Sequence, residues 1–201
     1  MPEWYEKRRF GDLADRAAER FGKREALVFE DRRYTFAQIA EQVDIAAKAF
    51  MALGVKKGDH VAIWLNNRED WIFIQCGLSK IGAVFVPINT RFRTTDMEYV
   101  LRQSDSVILV THDTSGPIDY QAMVREVIDL PATGTDVADQ GFPMLRKVVI
   151  LGGSPDPGTI HWETAKELAQ SISDERLAAR AAEVDPDDVV LIMYTSGTTG
   201  F

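Results

Sequence analysis

The chain has 201 residues, room for one sizeable domain or two small ones with an ample core. Hydrophobic residues make up 45% and charged residues 27%, and the net charge is −8 with no stripe of Lys and Arg, which argues against nucleic acid as a partner. The charged start, Met1 to Arg9, is no signal peptide, no apolar run is long enough to span a bilayer, and the lone Cys76 cannot form an internal disulfide; a soluble, cytoplasmic protein is expected.

Apolar spacing along the chain alternates between the helical and the extended period. Phe10, Leu13, Ala14, Ala17, Ala18 and Phe21 recur at helical intervals, and Gly22 stops that helix. Ala26 to Phe29 and Arg33 to Thr35 predict short strands around the turn Glu30-Asp31-Arg32. Thr35 and Gln38 form a capping box that opens a helix with Phe36, Ile39, Val43, Ala46, Ala47, Phe50 and Leu53 on its inner face. Gly54 is the stop, with Val55 placed to pack back on the last turn.

Lys57-Gly58-Asp59 turns the chain into a strand over Val61 to Leu65, and a helix follows from Glu69 to Lys80. Val84 to Pro87 is the next strand, ended by its proline. Thr95 with Glu98 predicts a second capping box before a helix carrying Met97, Val100 and Leu101. Ser106 to Val110 reads as a strand, Tyr120 to Ile128 as a helix, Pro131 to Pro143 as a polar loop and Leu145 to Leu151 as a strand. Glu163 to Ala182 is helical, and a turn at Asp185-Pro186-Asp187-Asp188 precedes a final apolar strand, Val189 to Met193.

Five alternations of strand and helix predict an α/β fold with a largely parallel sheet and helices on both faces. The unbroken apolar run Val189 to Met193 fits a strand covered on both sides.

Straight after that run come four hydroxyls and two glycines: Thr195, Ser196, Gly197, Thr198, Thr199 and Gly200. Glycine lets backbone N–H groups turn toward one point, and short hydroxyl side chains add donors without bulk, so such a loop can wrap a phosphate. On composition alone the stretch also reads as a polar tail. It matches neither Gly-x-x-x-x-Gly-Lys-Ser/Thr nor Gly-x-Gly-x-x-Gly, which excludes a P-loop NTPase of the usual type. A buried strand feeding a phosphate loop is an odd place for a chain to stop, so 1–201 is read as a single partial α/β domain cut inside that loop.

Other chemistry-bearing residues have simpler explanations. His60, His112 and His161 share no ligand spacing and are expected in surface or satisfied structural roles. Asp185, Asp187 and Asp188 fit a turn better than a metal site. Cys76 has no activating neighbour and belongs to the core, as do Trp64 and Trp71, while Gly152 to Gly158 forms a surface turn. No catalytic side chain and no metal ligand set is assigned.

Tyr194-Thr195-Ser196-Gly197-Thr198-Thr199-Gly200 resembles the signature of the adenylate-forming superfamily of acyl- and aryl-CoA synthetases, luciferases and peptide-synthetase adenylation domains. The family pattern continues into Pro-Lys-Gly, which this chain lacks after Phe201. Arg33-Tyr34-Thr35-Phe36 through Leu53-Gly54-Val55 to Ile63 looks like the family's opening helix, turn and strand, with Phe36 where Tyr is commoner. Lys80 to Arg91 resembles its second core segment, and Asn89-Thr90-Arg91 is closer to acyl-CoA synthetases than to peptide-synthetase domains.

The resemblance implies the N-terminal portion of the large domain of an AMP-forming acyl-CoA synthetase. A carboxylic acid, ATP with Mg²⁺, and CoA would be its small-molecule partners, with Thr195, Ser196, Gly197, Thr198, Thr199 and Gly200 on the β- and γ-phosphates. By itself the chain is expected to be inactive and to self-associate through the region of its last strand. A stand-alone α/β binding module and an aryl-acid–CoA ligase stay open as alternatives.

Overall fold

The structure is a computed structural model and describes residues 7–195. Its helices are α1 (Leu13–Phe21), α2 (Phe36–Ala52), α3 (Glu69–Lys80), α4 (Thr94–Gln103), α5 (Tyr120–Val127), α6 (Trp162–Leu168) and α7 (Asp174–Ala182). Its strands are β1 (Glu25–Phe29), β2 (Arg32–Thr35), β3 (His60–Trp64), β4 (Val84–Pro87), β5 (Ile108–His112), β6 (Thr114–Ser115), β7 (Ile118–Asp119), β8 (Lys147–Leu151) and β9 (Ile160–His161).

The predicted capping box forms: Thr35 Oγ1 accepts the Gln38 N–H at 3.3 Å while Gln38 Oε1 accepts the Thr35 N–H at 2.9 Å. Helix α2 ends at Leu53, Gly54 takes φ 87°, and Val55 folds back to bond the Phe50 carbonyl at 2.9 Å. Helix α3 has the predicted bounds, with Glu69 and Asp70 in its first turn, where the helix dipole favours carboxylates.

The described chain divides into two compact units. The first comprises the chain up to Asp59, Asn66–Val84 and Trp162–Val190. Helix α2 is its centre, in contact with α1, α3 and α6. Glycine makes the tightest approach possible: a Cβ on Gly77 would lie 2.9 Å from Ala47 N and 3.0 Å from the Val43 carbonyl. Phe50 stacks against Trp162 with ring centroids 5.5 Å apart, and the Trp162 indole N–H donates to buried Asp70 at 3.0 Å.

The second unit comprises His60–Leu65, Phe85–His161 and the chain from Leu191 on. It carries a five-stranded sheet in the order β4-β3-β5-β8-β9, with β3–β5, β5–β8 and β8–β9 parallel. Ala62, Trp64, Val86, Leu109, Val148 and Ile150 on one face pack with Met97, Val100 and Leu101 of α4 and Tyr120 and Val124 of α5. Val61, Ile63, Phe85, Ile108, Val110 and Val149 on the other face are equally buried, as the near-continuous apolar strands require. Each such aliphatic side chain contributes about 1.5–3 kcal/mol by leaving water.

Four expectations are corrected. The apolar run Val189 to Met193 forms no strand; its one ladder contact is a parallel bridge from Leu191 to Phe85. Val189, Leu191 and Met193 are exposed while the residues between them are half-buried, so the segment has one covered face and not two. The second capping box lies two residues earlier: α4 starts at Thr94, and Asp96 accepts the Arg93 N–H while Glu98 pairs with Arg102. Strand β5 is shifted two residues on, because Thr111 finds a buried acceptor in the Trp64 carbonyl at 3.1 Å and His112 pairs with Leu151 of β8. Trp71 is only half-buried, whereas Trp162 takes the core place beside Phe50.

Candidate functional site

The chain that leads up to Thr195 runs beside β4. Ile192 donates its N–H to the Phe85 carbonyl at 3.1 Å, and the parallel bridge at Leu191 directs the chain toward the carboxyl end of the sheet. Ligands of open α/β sheets gather beyond that end. Ile192 and Tyr194 face the second unit's core, and the Tyr194 ring stands edge-on to Tyr99 of α4, centroids 6.4 Å apart at 84°. Burial raises the Tyr194 phenol pKa, helped by Tyr99 and Asp105, so the ring serves as a neutral anchor. The alternation then turns Thr195 outward, where it is exposed. Ser196, Gly197, Thr198, Thr199 and Gly200 lie outside the described residues.

The chain leaving β4 is bound tightly through its carbonyls. The Trp64 indole donates to the Asn89 carbonyl at 3.2 Å, and Asn89 Oδ1 accepts the Arg91 N–H at 2.9 Å. Tyr120 donates its phenol to the Thr90 carbonyl at 3.3 Å. The Arg93 guanidinium collects the Thr90, Arg91 and Phe92 carbonyls at 3.4, 3.0 and 2.8 Å. Behind it, Trp64 and Tyr120 meet edge to face with centroids 4.7 Å apart. The backbone of 89–93 is thereby fixed, and the Asn89 and Arg91 side chains remain at the surface.

The stretches singled out in the sequence converge on β4. The Ile63 carbonyl of β3 accepts the Ile88 N–H at 2.9 Å, and the Phe85 carbonyl accepts that of Ile192. Chemically, the loop offers hydroxyls and backbone amides with no carboxylate among residues 195–200, a neutral donor set suited to phosphate oxygens. Among the described residues no group of three or more His, Cys, Asp or Glu could hold a metal ion.

The remaining candidates are structural. His60 Nδ1 lies 2.6 Å from the Ser104 carbonyl, and His112 is buried against the Tyr120 ring. His161 sits apart from both, on β9. Asp185 and Asp188 close their turn: Asp188 Oδ2 accepts the Asp185 N–H at 2.7 Å and Asp185 Oδ1 the Asp187 N–H at 2.8 Å. Cys76 is buried, and desolvation pushes its thiol up to about 11 against the pull of Lys80. Gly152 and Gly153 both adopt positive φ and leave space for the Asp113 carboxylate. Sequence reasoning missed Tyr120, Arg93 and Lys57 as organisers, since each bonds main-chain atoms that no side-chain pattern announces.

The AMP-binding enzyme family matches residues 14–201. YngI of Bacillus subtilis (strain 168), which bears an acyl-CoA synthetase name, is 35% identical over 195 residues, covering 95% of this chain and 36% of YngI. The crotonobetaine/carnitine–CoA ligase of Proteus mirabilis (strain HI4320) is 39% identical over 192 residues, covering 92% of this chain and 33% of the ligase. The crystal structure of the anthranilate CoA ligase AuaEII in complex with anthranoyl-AMP superposes with a TM-score of 0.77 at 24% identity, over 96% of this chain and 33% of that one. The chain thus spans about a third of the length of these proteins. Among the described residues no helix is long and apolar enough to cross a membrane.

Proposed function

Because the chain belongs to the AMP-binding enzyme family, we propose that it is the N-terminal third of an AMP-forming acid–thiol ligase. In that reaction a carboxylate oxygen attacks the α-phosphorus of ATP, and the bond to the bridging oxygen of the β-phosphate breaks. The electron pair leaves with pyrophosphate; the CoA thiolate then attacks the acyl carbon of the acyl-AMP, and the acyl–oxygen bond breaks with its electron pair leaving on AMP.

The observation that supports this reading is the bond from Ile192 to Phe85, which holds the chain leading up to Thr195 beside β4. Thr195, Ser196, Thr198 and Thr199 would donate hydroxyls, and Gly197 and Gly200 amides, to the β- and γ-phosphate oxygens. Donors placed there meet negative charge as it grows on the departing pyrophosphate. Mg²⁺, when bound with the nucleotide, neutralises part of the same charge. No general base is required, because a carboxylic acid with a pKa near 4 is already an anion at neutral pH. The loop residues therefore bind and position; proton transfer is no part of their task.

The acyl- and carnitine-type names of the relatives support a carboxylic acid as the substrate, with fatty, aryl and alicyclic acids all open. The 201-residue chain alone is proposed to be silent, since a transfer reaction needs all its reactants held together. A panel of carboxylic acids offered to the complete ligase, scored by ATP-dependent pyrophosphate release, tests the reading. Acid-dependent release supports it, and its absence across fatty, aryl and alicyclic acids rejects it.

A further inference from the structure

Helix α1 carries an apolar strip on the side turned away from its helix partners. Inward, Ala14 packs with Val43 of α2 and Cys76 of α3. Leu13, Ala17 and Arg20 follow at intervals of four and three, so they line a different face, with Phe10 one turn before Leu13. Leu13 is 56% exposed and Phe10 40%. Among the described residues, those from Arg8 to Phe21 supply the whole lining of this strip, with Arg16 and Arg20 along its edge.

Folding sorts the charges of this segment. Residues 7–24 hold seven Lys and Arg against three Asp and Glu, a net +4 in a chain whose total is −8. The two signs are interleaved along the sequence, so no stripe of cations stands out there. In the fold, Asp12 takes two bonds from the Arg9 guanidinium at 3.0 and 2.8 Å, and Asp15 accepts the buried Lys80 ammonium at 2.8 Å. Of the three acids only Glu19 lies at the rim of the strip, while Arg16, Arg20, Lys23 and Arg24 are exposed. The Arg20 and Arg24 guanidinium groups stand over the Phe21 ring, 5.0 and 5.6 Å from its centroid, which keeps cations against apolar surface.

We infer that this face of α1 docks on the surface of an anionic lipid bilayer. A helix with arginines beside exposed Phe and Leu lies in the plane of the headgroups: the apolar side chains reach the acyl boundary and the guanidinium groups meet lipid phosphates and carboxylates. An acidic helix of a partner protein offers the same charge, but it is held in a groove with two walls. Here one helix and its lead-in supply the lining, and a flat interface needs no second wall. The contact is peripheral, since α1 has nine residues, far short of a membrane span.

Co-sedimentation of the complete ligase with vesicles tests this, using about three parts phosphatidylcholine to one part phosphatidylserine beside pure phosphatidylcholine. The ligase should partition onto the mixed vesicles far more than onto the neutral ones, and salt above physiological strength should weaken the binding. At ~1 kcal/mol for each basic side chain near an anionic surface, Arg16→Gln with Arg20→Gln should lower the partition coefficient about 25-fold. Leu13→Ser leaves the charge intact and should lower it about 10-fold, the share of an inserted apolar side chain. Lys166→Gln, on α6 and outside the strip, should leave it within about 2-fold. Leu13, Arg16 and Arg20 are exposed, so their variants should keep the wild-type circular dichroism. No partition onto the mixed vesicles, equal partition onto both kinds, full binding by the double arginine variant, or an equal loss in Lys166→Gln overturns the inference. Binding of an acidic amphipathic peptide through Arg16 and Arg20, with the vesicles ignored, overturns it in favour of a protein partner.

Discussion

Lys80, the last residue of α3, places its ammonium 2.8 Å from Asp15 of α1, and the same group bonds Asp44 of α2. The lysine is 7% exposed and the two carboxylates about two-fifths exposed, so a buried cation is neutralised by half-solvated anions. Beside it, Gly11 packs so closely that a Cβ would stand 2.4 Å from Lys80 Cα. One charge therefore ties three helices of the first unit.

Removing either partner should cost about 1 kcal/mol, since solvent already screens each aspartate. Asp15→Asn with Asp44→Asn should cost about 3 kcal/mol, because it leaves the ammonium buried and unpaired. Urea unfolding of the three variants reads both values. Burial alone would lower the Lys80 pKa, but the bonds to Asp15 and Asp44 outweigh it and the net shift is upward. The contribution is therefore complete below the ordinary lysine pKa of about 10.4 and is lost as pH rises through the higher folded value. In the double variant burial acts alone on the ammonium, so its stability should instead rise with pH as Lys80 loses its proton.

Gly77→Ala should destabilise the first unit by about 1–3 kcal/mol, since the added methyl meets the α2 backbone and no flexible side chain can yield. Gly134→Ala meets nothing within 4 Å and carries only the strain of its φ of 75°, so it should cost less. Thermal melts of the two variants should fall in that order; the reverse order would mean that α2 and α3 are not packed through Gly77.

Cys76 should resist alkylation in the folded protein. Its thiol is 6% exposed and pushed up to about 11, so at pH 8 only about one molecule in a thousand carries a thiolate. A thiol reagent should label it at the rate of unfolding, rising sharply above the urea midpoint. Rapid labelling in native buffer would contradict the packing of α3.

Most of the sheet and helices α1 to α5 are legible in the sequence, because apolar period and capping chemistry are local signals. The helical region read over Glu163 to Ala182 is instead two helices, α6 and α7, parted before the Ser173 N-cap. Thr35 with Gln38, and Gly54 with Val55, fold as those residues demand. The failures have non-local causes. Val189 to Met193 reads as a buried strand by composition, yet strand formation depends on a partner ladder, and β4 supplies one bridge at Phe85. Thr111 and His112 look too polar to extend β5, but Trp64 and Leu151 supply their acceptor and partner. The donors from Thr195 to Gly200 stand out in the sequence because they are contiguous, and their role on phosphate is a proposal. The bonds of Lys57 to the Glu183 carbonyl and Asp188 are not legible in the sequence, since these partners come from the distant end of the chain.

Leu191 and Met193 present apolar side chains on the uncovered face of their segment, 39% and 64% exposed. Apolar surface of this kind favours pairing with another chain. The isolated 201-residue chain is expected to self-associate in light scattering, and Met193→Glu should shift it toward monomer. A strictly monomeric wild-type chain at high concentration would show that this face is tolerated in water.

The central claim, that the Thr195 loop holds the phosphates of ATP, is tested most directly by adenylation kinetics of Thr195→Ala, Ser196→Ala and Thr198→Ala in the complete ligase. Losing one donor to a developing oxyanion costs about 10²-fold in kcat, somewhat less where neighbouring hydroxyls share the charge. The account predicts such a fall in acid-dependent ATP–pyrophosphate exchange for each variant, with the fold intact by circular dichroism. Wild-type exchange rates in all three variants would contradict it and leave the loop a connector.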